Sequence, residues 1–227
     1  MKLKYKILLI VLVGGLITVL INSELKDTKI SLVAIGDGVS LGMTSYNVVG
    51  YSYNDYLMEE IENRHKLQSY NNEFSIENQT VDELYDALEK NTLGQKTKLP
   101  LKQIIAKADI LTINVGMDEF IDYSIKDKLT EERIEKFLQY YVAMLKSIRS
   151  FYDKDIIVLG LYSAYHLDKN TVFTINKEIS SIAAEYKAKF LDISALAVNS
   201  EYYSNEIGYY MNYKGHKAIY KLLLNLI

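Results

Sequence analysis

VAIGDGVSLG, residues 33–42, takes an apolar run directly into a glycine-rich turn that contains one aspartate and one serine. The apolar run begins at residue 30, and its continuous character predicts a strand buried on both faces. In α/β proteins the segments beyond the carboxyl ends of such strands carry the ligand-binding groups. The stretch therefore raises the question of whether Asp37 and Ser40 belong to a catalytic turn.

Strand and helix patterns alternate along the rest of the chain. Apolar β-rich runs predict strands at 30–35, 73–76, 109–115, 155–162 and 188–193. A 3.6-residue apolar period predicts helices at 52–66, 80–90, 99–107, 130–152, 170–187 and 212–227. This alternation predicts one flavodoxin-like, three-layer α/β/α domain over residues 30–227, with a five-stranded parallel sheet.

The composition excludes several classes of function. The chain has 227 residues, with 26 basic and 29 acidic side chains interspersed, so it offers no basic face to nucleic acid. The absence of cysteine excludes disulfides, thiolate metal sites and a cysteine nucleophile. No Walker loop and no G-x-G-x-x-G motif is present, and no cofactor is expected. The twenty tyrosines fit a sugar-stacking surface or the codon bias of an AT-rich genome, and the many Lys, Asn and Ile residues favour the latter.

The N-terminus has the pattern of a membrane anchor. A basic end (1–6) precedes ILLIVLVGGLITVLINS (7–23), which carries no charge, and a polar linker (24–29) follows. A helix of this length reaches roughly 25 Å, enough for a thin bilayer, and no small-residue cleavage site ends it. We expect an uncleaved transmembrane signal anchor with its lysines in the cytoplasm and the domain outside the membrane. The alternative is a buried core helix.

Four short segments, in order, resemble the sequence blocks of the SGNH (GDSL) hydrolase superfamily. AIGDGVSLG (34–42) resembles the first block, SIENQTVDEL (75–84) the second, NVGMDEF (114–120) the third and GYYMNYKGHKAIY (208–220) the last. The resemblance implies an ester hydrolase in which a serine in the first block attacks the carbonyl. A histidine in the last block acts as its base, and an aspartate three residues earlier orients that histidine.

The residues at the implied catalytic positions do not support this chemistry. The resemblance places Gly38 at the nucleophile position, Ile207 at the acid position and Tyr210 at the base position. A tyrosine with a pKa near 10 is a poor base at neutral pH. The implied oxyanion-hole positions are Gly38, Asn78 and Asp118, and an ionised Asp118 would repel an oxyanion.

Nearby residues could substitute for the lost catalytic groups. Ser40 follows the nucleophile position, and we expect it to cap the next helix, with a displaced nucleophile as the alternative. His166 follows the fourth predicted strand and could pair with Ser40, although a plain loop histidine is the favoured interpretation. His216 is expected to pack or cap within the terminal helix.

Three acidic residues are expected in the cleft. Asp37, Asp118 and Glu119 all follow strand ends, and their oxygens could hold a divalent cation. The favoured interpretation is that Asp37 accepts backbone N–H bonds and holds the turn, so no metal is expected.

Two functions remain. The first is a membrane-anchored, extracytoplasmic pseudo-hydrolase that binds an envelope glycan or a protein partner. The second is an active esterase or deacetylase of acylated cell-wall polymers with a rearranged catalytic set. The substituted positions favour the first.

Overall fold

A computed structural model of the protein describes residues 29–164, 167–203 and 209–227. The predicted basic end (1–6), the predicted anchor (7–23) and all but the last residue of the linker lie outside the described residues. Within the described ranges, no helix is both long enough and apolar enough to cross a bilayer.

The sheet has five parallel strands in the order β2-β1-β3-β4-β5, which confirms the predicted parallel sheet. The strands are β1 Ile30–Gly36, β2 Leu67–Ser75, β3 Ile110–Asn114, β4 Asp155–Leu159 and β5 Lys189–Leu191. The order reverses at β1 and β3, and the crevice of an open α/β sheet lies beyond the carboxyl ends of the strands at this point. The turn that follows β1 is therefore at the expected ligand-binding edge.

Helices cover the sheet in two groups. They are α1 Gly38–Leu41, α2 Tyr53–Asn63, α3 Val81–Glu89, α4 Leu101–Ala106, α5 Met117–Ile125, α6 Glu131–Arg149, α7 Lys169–Glu185 and α8 Tyr213–Leu223. Short 3₁₀ helices span Ser194–Val198, Ser200–Tyr202 and Leu224–Leu226. Helix α2 packs against α8, whereas α6 packs against α3 and α7. Every residue of β3 is buried, as expected for a strand covered on both faces.

The edge strand β2 differs most from its prediction. It begins at Leu67 rather than at residue 73, and its first seven residues are exposed or only partly buried. A polar edge strand gives no apolar run, so the pattern revealed only its buried end at Phe74 and Ser75. Strand β4 ends at Leu159 rather than at residue 162, and Gly160 continues the path by donating its N–H to Leu191 O.

The turn after β1 is fixed by close backbone packing. Gly36 has φ 144°, and a Cβ atom there would lie 1.8 Å from the carbonyl oxygen of Asn114 at the end of β3. Asp37 N donates to the same oxygen at 2.9 Å. Gly42 has φ 100° and ends α1 in the left-handed conformation. These contacts hold the turn rigidly against the carboxyl end of β3.

Candidate functional site

Asp37 joins the turn after β1 to the start of α5. Its side chain is fully buried. Oδ1 accepts the backbone N–H of Val39 at 3.1 Å, and Oδ2 accepts those of Met117 at 2.7 Å and Asp118 at 3.3 Å. Asp37 is therefore the N-cap of α1 and holds the loop, as the sequence had led us to expect.

Ser40 is not a helix cap, so that expectation is wrong. It lies inside α1 and is fully buried, because Asp37 already occupies the cap position. Its Oγ lies 2.8 Å from Ser75 Oγ and accepts a bond from Asn54 Nδ2 at 3.3 Å. Asn54 Oδ1 in turn accepts a bond from Thr112 Oγ1 at 2.8 Å. The hydroxyl belongs to a buried network that ties α1 to α2, β2 and β3.

The carboxylate of Asp118 binds three of the other positions that the resemblance assigned to the catalytic site. Oδ2 accepts the backbone N–H of Gly38 at 2.9 Å and that of Asn78 at 2.7 Å. Oδ1 accepts the hydroxyl proton of Tyr210 at 2.7 Å. We call these three donors, on Gly38, Asn78 and Tyr210, the Asp118 cradle. An acidic side chain of the chain itself thus occupies the hydrogen-bond donors implied for an oxyanion.

The backbone conformation at Asn78 directs its N–H into the cradle. Asn78 has φ 61°, in the left-handed region that glycine adopts most easily and asparagine better than most residues. Asparagine can therefore stand where the resemblance implies a glycine without losing the N–H donor.

A side chain at position 38 would crowd the Asp118 carboxylate. A Cβ atom built on Gly38 would lie 2.8 Å from Asp118 Oδ2 and 3.1 Å from both Asp118 Oδ1 and Met43 Cγ. These distances are shorter than ordinary van der Waals contacts, so a serine at position 38 would require the Asp118 carboxylate or the Met43 side chain to shift.

The electrostatics of the cradle make Tyr210 a proton donor. Burial raises the pKa of Asp118, while the hydrogen bonds from Tyr210 and the two N–H groups lower it, with a net rise. Burial, and next to it the charge of Asp118, raises the pKa of Tyr210 further above its ordinary value. Tyr210 therefore keeps its proton at neutral pH, the opposite of what a general base requires. Burial and the neighbouring Asp118 charge also raise the pKa of Asp37.

Glu119 accepts hydrogen bonds from donors other than those bound by Asp37 and Asp118. Its Oε1 accepts the hydroxyl proton of Tyr123 at 2.9 Å, and its Oε2 accepts the backbone N–H of Val81 at 3.3 Å. Burial raises the pKa of Glu119. Among the residues that the structure describes, no group of three acidic, histidine or cysteine side chains is placed to hold a metal ion. The oxygens of Asp37 and Asp118 instead face N–H and O–H donors.

A small cavity opens beside the cradle. It has a volume of about 260 Å³ and is lined by Asn78, Thr80, Asp118, Glu119, Asp122 and Tyr123. A second cavity of about 340 Å³ continues from it along α3 and α6 and shares Glu119 and Tyr123. Asp118 therefore forms part of the wall of the first cavity.

Neither of the two described histidines, His65 and His216, supplies a base to the site. His216 is buried in α8, where its ring stacks on Tyr53 and its Nε2 lies 2.9 Å from the carbonyl oxygen of Met43. This is the packing role expected from the sequence. His65 is exposed just beyond the end of α2. His166 and Ile207 lie outside the described residues, so their predicted roles remain predictions.

Comparisons with known proteins bear on the family and the fold. Residues 32–222 match the family model described as GDSL-like Lipase/Acylhydrolase. The fold is similar to that of the lipase Lip_vut3 from a goat rumen metagenome, with TM-score 0.69 and 16% identity over 87% of this chain and 97% of that one. A lipase/acylhydrolase from Enterococcus faecalis gives TM-score 0.64 and 17% identity over 87% and 94% of the two chains.

A catalytic mutant of Axe2, an acetylxylan esterase from Geobacillus stearothermophilus, is also similar, with TM-score 0.64 and 16% identity over 87% and 94% of the two chains. No curated protein matches the sequence. At these identities the structural neighbours establish the fold alone.

Proposed function

This chain belongs to the GDSL-like lipase/acylhydrolase family, and we propose that it is a pseudo-hydrolase, a member that binds in the former catalytic cleft without hydrolysing esters. One observation carries the proposal. The Asp118 carboxylate rests on the N–H groups of Gly38 and Asn78. Serine hydrolases keep such donors free for the negative charge that develops on the substrate oxygen.

The remaining chemistry supports the same proposal. Gly38 has no side chain to attack an ester, and the Tyr210 hydroxyl donates its proton to Asp118 instead of accepting one. Removing members of a Ser-His-Asp triad lowers kcat by about 10⁴ to 10⁶, alone or together. A site that lacks the nucleophile and the base is expected to retain no useful turnover.

The proposed ligand is an envelope glycan or a protein partner outside the membrane, with residues 7–23 as the anchor. The uncharged run of residues 7–23 and the lysines before it support this placement. One structural neighbour is an acetylxylan esterase, which makes a polysaccharide the first ligand class to test. The cavity beside Asp118 would receive it.

The first prediction is that the purified full chain hydrolyses neither aryl acetates nor acetylated xylan above the buffer rate. A Gly38→Ser variant is expected to remain inactive and to resist acylation by a fluorophosphonate probe, since the base is also missing. An active esterase of the same family, assayed in parallel, serves as the positive control. Turnover by the wild-type chain would contradict the proposal.

The alternative is an active esterase or deacetylase that uses Ser40 and His166. It would have to free a Ser40 hydroxyl that is fully buried and bonded to Ser75 and Asn54. Loss of a measured turnover in both Ser40→Ala and His166→Ala variants would favour this alternative. On the pseudo-hydrolase proposal, Ser40→Ala lowers stability and changes no activity.

A further inference from the structure

We propose that the Asp118 cradle is a carboxylate-binding site whose resident ligand is the side chain of Asp118, and that a free small carboxylate takes its place when that side chain is removed. The inference rests on the proposed function and deepens it, because it names the chemical group that the former catalytic donors now recognise.

The donors match a carboxylate in number and position. The backbone N–H groups of Asn78 and Gly38 donate to Asp118 Oδ2 at 2.7 and 2.9 Å. The Tyr210 hydroxyl donates to Asp118 Oδ1 at 2.7 Å. All three donors are neutral and come from segments far apart in the chain. Hydrogen bonds to an ionised acceptor are shorter and stronger than those between neutral groups, so the three donors favour the charged form of the occupant and partly offset the burial that raises the pKa of Asp118.

Contacts other than Asp118 hold two of the donors in place. The Gly38 carbonyl oxygen accepts the N–H groups of Gly42 at 3.0 Å and Met43 at 2.8 Å, which fixes the turn around position 38. The turn that presents Asn78 is closed by a bond from Gln79 N to Ile76 O at 3.2 Å. The cradle is therefore expected to persist when the Asp118 side chain is shortened.

Asn78 and Asp118 line the small cavity, so we expect a solute to enter from it the space that a shortened Asp118 side chain leaves. Asp118→Ala removes the carboxylate group alone, and formate has the size of the missing group. Asp118→Gly removes the whole side chain, and acetate has the size of that loss. We therefore expect Asp118→Ala to bind formate and Asp118→Gly to bind acetate. The nearby acidic groups Asp37 and Glu119 oppose a second anion, so binding is expected only at high concentrations of the free ion.

The experiment measures the Tm of the full chain against formate concentration, with sodium chloride used to keep the ionic strength constant. Asp118→Ala is expected to melt below the wild-type protein and to gain about 3–10 °C, saturably, as formate fills the cradle. Asp118→Gly is expected to respond to acetate in the same way. The wild-type protein and the control Asp86→Ala, which removes an exposed carboxylate paired with Lys90, should respond no more to formate than to chloride.

A folded Asp118→Ala protein whose Tm ignores formate would overturn the inference. Where that variant does not fold alone, refolding in formate supports the inference, and failure of both variants to refold with their matched ions overturns it. Ester turnover by the wild-type chain, measured separately, would instead overturn the proposed function. The two failures are therefore distinguishable.

Discussion

Gly38, at the implied nucleophile position, lies directly against the Asp118 carboxylate. A side chain at position 38 and the carboxylate in the cradle compete for the same space, with a separation of 2.8 Å between a built Cβ atom and Asp118 Oδ2. The glycine thus accommodates the carboxylate.

The second prediction concerns this pair. Gly38→Ala is expected to lower the free energy of unfolding by about 1–3 kcal/mol, because the added methyl group collides with Asp118 and Met43. At an unstrained position in a helix the same change would raise it by about 0.4–1 kcal/mol. Urea unfolding of the wild-type protein and of Gly38→Ala shows whether the free energy of unfolding falls or rises.

A double-mutant cycle provides the control for this prediction. In an Asp118→Gly background the alanine at position 38 is expected to cost less, with a coupling energy of about 0.5–3 kcal/mol between the two sites. Equal costs in both backgrounds would show that Asp118 is not the group that excludes a side chain.

The sequence identified the residues of the site but not their bonds. Its block pattern located Gly38, Asn78, Asp118 and Tyr210, and the structure brings all four together. The sequence indicated that an ionised Asp118 would repel an oxyanion. It did not indicate that the Asp118 carboxylate itself would accept the N–H groups of the implied oxyanion hole. The sequence signal for these bonds was the combination of a glycine at the nucleophile position with an acid where the family has an amide. This combination provides a carboxylate that can accept the backbone N–H groups of the implied oxyanion hole.

Among the secondary-structure elements, the strands that are buried on both faces were the ones predicted from the sequence. Strands β1, β3 and β4 read as apolar runs because helices cover both of their faces. The first part of β2 is polar because it lies at the sheet edge, and nothing local distinguishes it from a loop. Helix α1 is only four residues long, too short for any periodicity to appear.

The third prediction concerns the start of α8. Asn212 caps this helix by accepting the N–H groups of Lys214 at 2.9 Å and Gly215 at 3.3 Å, and its Nδ2 donates to Glu201 O at 2.9 Å. Asn212→Ala is expected to lower the free energy of unfolding by about 0.5–2 kcal/mol, because the cap is lost. Chemical denaturation of the full chain measures the change.

Asn212→Asp is the matched control. It keeps the capping oxygen but places a carboxylate oxygen opposite the carbonyl oxygen of Glu201 in place of the amide donor. A cost smaller than that of Asn212→Ala would therefore assign the stabilisation to the cap. Equal costs for the two variants would assign the stabilisation to the Glu201 contact.

For the whole molecule, a buried histidine makes stability depend on pH. Burial lowers the pKa of His216 below its ordinary value of 6.5, although the hydrogen bond with Met43 O and the charge of Asp55 partly oppose this. The unfolded chain therefore binds a proton more readily than the folded protein does. The contribution of neutral His216 to stability is complete above pH 6.5 and is lost as the pH falls towards the lowered pKa.

The fourth prediction tests this loss of stability at lower pH. Between about pH 7.5 and 5.5 the wild-type protein is expected to lose more free energy of unfolding than a His216→Gln variant loses. His65→Gln, which changes an exposed histidine, should retain the wild-type pH dependence. The buried carboxylates are common to all three proteins, so the comparison isolates His216. A steeper pH dependence in His216→Gln would refute the assignment.

The close contact between position 38 and Asp118 also has an evolutionary consequence. A serine introduced first at position 38 meets the carboxylate at 2.8 Å, and removing Asp118 first leaves two N–H groups and the Tyr210 hydroxyl without their acceptor. Either first step lowers stability and restores no catalysis, since the base position is still a tyrosine. On the pseudo-hydrolase proposal, a return to ester hydrolysis would therefore need several substitutions together. The occupied cradle would then make a regain of activity by single substitutions unfavourable.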